Sequence, residues 1–280
     1  MQKDRKYLFV TGASGFIGKN FIIKAESKGH KIFALSRFKR KVKSKNIVWI
    51  KGEIDDDFNN YLKKTHTMIH FAAAGVNNNN LNIREVFEEN VFKPHKFLLS
   101  CLKNGCKKWI IIGSASEYGK SAEKKKELTT KTKELPESNY EKSKLIFSKL
   151  AFKISKYKKI KCRILRIFNV YGRGENKKKL LTSLKFSIKK KKKFTINSSN
   201  QKKDFIDINN VTDILIDTLN FKKNSKKFPQ IWHIASGNPM TVKDFVISKV
   251  NKKVVKKLEF KNKNKIIRNF ISSKKSIWKI

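Results

Sequence analysis

Tyr7-Leu8-Phe9-Val10-Thr11-Gly12-Ala13-Ser14-Gly15-Phe16-Ile17-Gly18 decides how this chain reads, because a short apolar run feeds into three glycines spaced Gly-x-x-Gly-x-x-Gly. Leu8, Phe9 and Val10 read as a buried strand, and Phe16, Ile17, Phe21 and Ile22 recur on one face of a helix over residues 16–28. The glycines therefore lie on a strand-to-helix turn. Gly12 allows the tight turn, Gly15 lets backbone approach a pyrophosphate, and Gly18 lets the helix pack closely on the strand. The helix N-terminus offers free N–H groups to anionic oxygens. The loop Gly12, Ser14, Gly15, Phe16, Ile17 and Gly18 is thus expected to hold a dinucleotide.

The 280 residues suffice for one large α/β domain or a main domain with a smaller lobe, and 39% apolar content with 21 phenylalanines describes a folded chain. No apolar run approaches the ~18 residues that span a bilayer, and residues 1–6 lead into the glycine turn, so a cytoplasmic protein is expected. Cys101, Cys106 and Cys162 are too few and wrongly spaced for a zinc knuckle or a disulfide framework, and the histidines lack metal-ligand spacing. No metal is expected. The net charge of +45 comes from lysine scattered along the whole chain, which favours a soluble surface and fast capture of small anions without making a groove. Aromatic residues are not interleaved with the basic ones for stacking, which weighs against specific nucleic-acid binding. The lysine run 189–193 reads as a solvated helix end.

Residues 31–35 read as a second strand that ends at Ser36-Arg37. In a dinucleotide fold an acid at this end holds the adenine ribose hydroxyls. Here Ser36 is followed by Arg37, Lys39 and Arg40, which favours a ribose bearing a 2′-phosphate, hence NADP, with NAD the alternative. A third strand at 47–50 closes on Gly52-Glu53-Ile54-Asp55, at the level of an adenine. Residues 67–70 form a strand in which His70 packs, running into Phe71, Ala72, Ala73 and Ala74, whose small side chains leave room for a cofactor. The asparagine run 77–80 is a loop. Residues 82–104 are helical, with Pro94 as a kink and Gly105 as the stop. A central strand at 108–112 delivers Gly113-Ser114-Ala115-Ser116-Glu117-Tyr118-Gly119 to its carboxyl end, where ligands lie in open α/β sheets. Residues 120–138 read as a polar loop over the site.

A helix starting near Ser138 carries Tyr140 and Lys144, four apart and therefore on one face. A phenol ionises near ~10, and a neighbouring ammonium with a positive nicotinamide ring favours phenolate, making Tyr140 an acid/base near neutrality.

With these residues on the page, the chain resembles the extended short-chain dehydrogenase/reductase family, the NAD(P)-dependent nucleotide-sugar epimerase/dehydratase group, along nearly its whole length. The carrying motifs are Thr11 to Gly18, Ile69-His70-Phe71-Ala72-Ala73, Asn90-Val91, Ser114-Ala115-Ser116-Glu117-Tyr118-Gly119, Tyr140-Glu141-Lys142-Ser143-Lys144 and Leu165-Arg166-Ile167-Phe168-Asn169-Val170-Tyr171-Gly172. Lys203-Asp204-Phe205-Ile206-Asp207-Ile208 is similar to the family's Arg-Asp-Phe-Ile-x-Val segment, and Trp232-His233-Ile234-Ala235-Ser236-Gly237 to its Asn-Ile-Gly-Ser-Gly segment. The resemblance implies an α/β fold, a Rossmann-type doubly wound parallel sheet over residues 1–171 completed by about 203–235. A small nucleotide-sugar lobe is implied for 172–202 and 236–280.

The resemblance makes Tyr140 the acid/base, has Lys144 bind the nicotinamide ribose and lower the tyrosine pKa, and has Ser114 hydrogen-bond the sugar oxygen. Asn90 falls on the cofactor side, and Ser116, Asn169 and Lys203 on the side of a nucleotide-diphosphate sugar. A homodimer is implied, through helices at 86–102 and 145–154 paired into a four-helix bundle. Three residues depart from the pattern: Ser36 replaces the ribose-binding acid, Glu53 stands where aspartate is usual beside the adenine, and Lys203 replaces an arginine. Lysine keeps the charge but loses the bidentate fork.

Family 4,6-dehydratases carry an Asp-Glu pair where this chain has Ala115-Ser116. Glu117 comes one position late, and on an extended segment that turns it to the other face, so dehydration is disfavoured. A 4-keto reductase using NADPH and a 4-epimerase retaining its cofactor both stay open. The Ser36-Arg37 end leans toward the reductase, and the short C-terminal lobe with residues 174–181 resembles the CDP-abequose and CDP-paratose synthases, which reduce NDP-4-keto-6-deoxysugars. An RNA-binding or scaffold role is weakened by the presence of Ser114, Tyr140 and Lys144 together.

Overall fold

Near-continuous apolar runs such as Ile32-Phe33-Ala34-Leu35 and Trp109-Ile110-Ile111-Ile112 suit strands buried on both faces. They form such a sheet here. In the computed structural model, which describes residues 6–38, 44–76, 81–190, 192–224, 227–262 and 267–280, the sheet contains β1 (Tyr7–Thr11), β2 (Lys31–Ser36), β3 (Ile47–Lys51), β4 (Thr65–His70), β5 (Lys108–Ser114) and β6 (Lys161–Ile167). Four short strands follow, β7 (Asn169–Tyr171), β8 (Phe194–Ile196), β9 (Lys202–Lys203) and β10 (Phe205–Asp207), before β11 (Gln230–Ile234) completes the sheet. Its order is β3-β2-β1-β4-β5-β6-β11, with every neighbouring pair parallel. The order reverses between β1 and β4, and the crevice at that switch point is where open α/β sheets bind ligands.

Strand alternation divides the core. Leu8 and Val10 point to the face covered by α1 (Phe16–Ser27), where Phe21, Ile22 and Ala25 are buried with Ile32, Ile69, Ile110 and Leu165. Phe9 points to the opposite face, with Phe33, Met68, Trp109 and Ile164. Phe16 and Ile17 are partly buried: they pack against this core and also line the cavity described below. After α2 (Asn59–Leu62), the helix expected at 82–104 is three pieces: α3 (Ile83–Phe87), a π-helical turn (Glu88–Phe92) and α4 (Lys93–Lys103). Pro94 sits in the first turn of α4 and produces no simple kink; the irregularity precedes it, where Lys93 N–H donates to Glu88 O.

Residues 120–138 do not cover the site. They include α5 (Ser121–Lys124) and are laced to the C-terminal segment, where Leu128 N–H donates to Ile271 O and Ser273 N–H to Leu128 O. Leu128 is fully buried, which a run rich in Lys and Glu concealed. Helix α6 (Asn139–Tyr157) starts at Ser138 through a capping box with Glu141. Beyond α8 (Ile208–Asp217) and β12 (Met240–Thr241) comes α9 (Val242–Ile247), and a separate cluster joins it to α7 (Leu180–Lys189) and β8. Strand β13 (Leu258–Phe260) pairs with β8. The chain end leaves this cluster: Trp278 packs in the main core and its indole N–H donates to Asp217. Lys39, Arg40, the 77–80 run and Lys191 of the lysine run lie outside the described residues.

Two buried histidines give the fold an acid limit. His70 is bonded to Thr11 Oγ1 (2.8 Å), and His233 lies between the Tyr118 hydroxyl (2.6 Å) and Ser272 Oγ (2.8 Å). Burial lowers both from an ordinary 6.5 to about 3, with Lys144 adding to the effect on His70 and Arg166 to that on His233. The unfolded chain therefore binds more protons between pH 6.5 and about 3. Stability is full above 6.5 and falls below it, by about 1.4 kcal/mol per pH unit for each histidine. Urea unfolding at stepped pH checks this, and His233→Gln removes part of the slope.

Candidate active site

The first turn of the site is set by backbone clearance. Gly12 has φ +64°, and a Cβ there would meet Ala72 N at 2.5 Å; a Cβ on Gly18 would meet Gly12 O at 2.3 Å. Only glycine fits either position. Gly15 caps α1, no side chain bonds across the cap, and no acid occupies the first helical turn. Ser14 is exposed at the crest. The open N–H groups of a twelve-residue helix behind closely approachable backbone fit the pyrophosphate of a dinucleotide.

A cavity of about 810 Å³ runs from this loop across the carboxyl ends of the strands. Gly12, Gly15, Phe16, Ile17, Gly18, Phe71 and Ala73 line the end at the glycine loop, and Ser114, Ser116, Tyr140 and Lys144 its middle. Asn169, Lys179 and Lys203 line the part toward the small lobe. Strand β5 delivers Ser114, whose Oγ bonds Ser116 Oγ (2.8 Å) and accepts from Ser116 N–H (3.2 Å). Helix α6 delivers Tyr140 and Lys144 from successive turns. Lys144 is buried and donates to the Ile112 carbonyl (2.7 Å), and burial lowers its pKa while Glu117 acts to raise it.

Tyr140 lies one turn before Lys144 on α6. Burial pushes its phenol up to about 12; a hydrogen bond with Ser114 works downward, and the charges of Glu117 and Glu141 work upward. The Lys144 ammonium is engaged by a backbone carbonyl.

Glu117 is placed differently from the sequence expectation. The segment after β5 is a 3-10 turn (Ala115–Tyr118), not an extended strand, and it folds Glu117 back into the protein, fully buried. Its Oε1 accepts from Ser114 N–H (2.9 Å) and its Oε2 from Arg166 Nε (2.9 Å). The carboxylate is therefore turned away from the cavity, by a route that spacing alone did not indicate.

Several expected cofactor residues do not line the cavity. Asn90, buried on the π turn, accepts from Ala74 N–H (2.7 Å) and donates to Ala74 O (3.0 Å) and Ser143 Oγ (2.9 Å). It clamps the turn after β4 to α6. Ala72 packs against the core, Ile54 is buried in it, and Glu53 lies 3.8 Å from Lys93 Nζ. Ser36 is buried, its Oγ accepting from Phe38 N–H (3.3 Å), and Arg37 is exposed beside it at the end of β2. Asn169 Nδ2 donates to Asp204 O (3.4 Å). Lys203 is held below the usual lysine range by burial and then by Lys179. Lys179 and Phe270, both on the cavity wall, were not read from the sequence; lysine abundance hid the first, and the second arrives from the chain end.

A model of the NAD dependent epimerase/dehydratase family matches residues 8–235. The chain belongs to that family. This epimerase/dehydratase family member has the fold of several solved structures. One is TunA, described as an NAD dependent NDP-hexosamine 5,6-dehydratase involved in tunicamycin biosynthesis, at 19% identity and TM-score 0.84, covering 98% of this chain and 92% of that one. A UDP-glucose 4-epimerase from Thermotoga maritima, solved with UDP-glucose, matches at 19% identity and TM-score 0.80, over 95% and 89% of the two chains. A UDP-glucuronic acid 4-epimerase from Bacillus cereus, in complex with UDP-glucuronic acid and NAD, matches at 21% identity and TM-score 0.80, over 95% and 90%. No helix among the described residues is long and apolar enough to cross a membrane.

Proposed function

We propose that this family member transfers a hydride at C4 of a nucleotide-diphosphate sugar, as an NDP-4-keto-6-deoxysugar reductase of the CDP-abequose or CDP-paratose synthase type. The observation that carries the reading is the convergence of Ser114, Tyr140 and Lys144 on one cavity, while Glu117, the first acid after Ser114 in the chain, is bound inside by Arg166. A nicotinamide dinucleotide bound along Gly12 to Gly18 supplies the hydride. Ser114 and Tyr140 hold the sugar's C4 oxygen, and Tyr140, protonated at neutrality, gives its proton to that oxygen as charge develops. Lys144 keeps a cation beside the reacting groups, and Lys179 and Lys203 bind the diphosphate as point charges.

The cofactor is proposed to be NADPH, from the exposed Arg37 and the absence of an acid at Ser36. The double change Ser36→Asp, Arg37→Ala is expected to reverse the preference toward NAD in binding titrations at two salt concentrations; tighter NAD binding by the unaltered protein contradicts it. The second reading is a 4-epimerase with retained NAD, favoured by fold neighbours described as 4-epimerases, some of them solved with NAD. Stoichiometric consumption of NADPH with a nucleotide 4-keto sugar supports the reductase, and isomerisation without net consumption supports the epimerase.

A homodimer belongs to the same proposal. Phe92, Leu99 and Ile146 are exposed large apolar residues on the packed helices around α4 and α6. Light scattering at physiological salt is expected to give twice the chain mass, and a monomer at micromolar concentration removes the claim.

A further inference from the structure

The group nearest the catalytic side chains that the proposed chemistry does not use is Glu117. It is wholly buried, yet both of its oxygens are committed. Oε1 accepts from Ser114 N–H (2.9 Å) and Ser148 Oγ (3.1 Å), and Oε2 accepts from Arg166 Nε (2.9 Å). Ser114 in turn closes a reciprocal capping box over the 3-10 turn, so its backbone and hydroxyl are fixed by the same few residues. The backbone makes room for this arrangement: a Cβ on Gly113 would lie 2.7 Å from Glu117 Oε1 and 3.3 Å from Arg166 Cγ. A buried charge is costly unless paired, and a mere filler of this space needs no carboxylate.

We propose that Glu117 is a positioning residue for hydride transfer: held by Arg166, its carboxylate pins Ser114 through the backbone N–H and ties the turn after β5 to Ser148 of α6, the helix that carries Tyr140 and Lys144. The inference rests on the proposed hydride chemistry for its rate effect, but not for its charge effect.

The groups that face this pocket come from four elements. His70 on β4 is neutral, its ring bonded to Thr11; the Ile112 carbonyl on β5 takes the Lys144 ammonium. Tyr140, Lys144 and Ser148 come from α6, and Arg166 from β6, shared with Glu134 (2.7 Å). Among these, Glu117 acts to raise the Lys144 pKa against burial, and it also raises that of Tyr140. Removing its charge therefore leaves Lys144 nearer neutrality. Losing the cation would weaken the hold on the cofactor ribose and the stabilisation of a developing oxyanion.

The test needs no substrate for its first arm. Competitive acetylation of the full-length protein with acetic anhydride across pH, read peptide by peptide by mass spectrometry, gives the protonation midpoint of Lys144. Glu117→Gln is expected to lower that midpoint, and Glu117→Asp, which keeps the charge but retracts it from Ser114, to leave it in place. In the second arm, turnover of nucleotide 4-keto sugars with NADPH is expected to fall about tenfold or more in Glu117→Asp, with the KM for NADPH unchanged. An unmoved Lys144 midpoint in Glu117→Gln, or wild-type turnover in Glu117→Asp, overturns the inference. If Glu117→Gln does not fold, the Asp variant decides, since a residue that only supports folding lowers melting temperature without separating kcat from KM. If the wild-type protein turns over no nucleotide sugar, the functional reading fails while the acetylation arm still reports on Glu117.

Discussion

Tyr140→Phe lowers turnover by about 10²–10⁴-fold while leaving dinucleotide affinity close to that of the unaltered protein. The ring keeps its place on the first turns of α6, so the cavity wall is unchanged; only the hydroxyl, hydrogen-bonded to Ser114, is removed. Because burial holds that hydroxyl protonated up to about 12, the lost function is proton donation to the C4 oxygen. Lys144→Ala behaves differently. The ammonium that donates to Ile112 O (2.7 Å) lines the same cavity, so its loss weakens cofactor binding and turnover together. Single-turnover kinetics beside cofactor titration separate the two variants, and a Phe variant with wild-type rate contradicts the assignment of the acid.

Arg166→Met destabilises the fold by about 3–5 kcal/mol, the cost of leaving a buried ion pair half-removed. Arg166 is 1% exposed and bridges Glu117 (2.9 Å) and Glu134 (2.7 Å), with its guanidinium 4.6 Å from the Tyr118 ring centre. Methionine fills much of the volume but leaves the Glu117 carboxylate without its cation. Burial works to raise Glu134, yet the hydrogen bond and charge of Arg166 with Lys149 hold it below the ordinary 4.5. Its contribution is therefore full above 4.5 and is lost as pH falls through the depressed value, so the deficit of the variant shrinks in acid. Urea unfolding at neutral and acid pH measures both effects. A neutral-pH loss below about 1 kcal/mol contradicts the pairing as the element that fixes the turn after β5.

The parts of this fold that were legible are those dictated by local pattern. The run from Tyr7 to Gly18 marked β1, the turn and α1 because each glycine answers to a backbone constraint, and the helix expected from near Ser138 is α6, whose capping box with Glu141 the structure adds. Tyr140 and Lys144 followed from helical spacing. What was not legible depended on long-range partners. Glu117 looked like a misplaced acid until Arg166, from a strand 49 residues away, showed why it turns inward. Asn90 was read toward the cofactor, whereas its amide is committed to Ala74 and Ser143. The polar look of residues 120–138 hid Leu128, because its partner Ile271 arrives only at the chain end. Periodicity does not report such closures.

The most direct test of hydride transfer at C4 uses NADPH carrying deuterium at nicotinamide C4, incubated with the purified protein and a panel of nucleotide 4-keto-6-deoxysugars. The account predicts one deuterium at C4 of the sugar in the product, formed in step with NADPH oxidation and absent with Tyr140→Phe. Label appearing at another carbon, or NADPH oxidised with no label in the sugar, contradicts it.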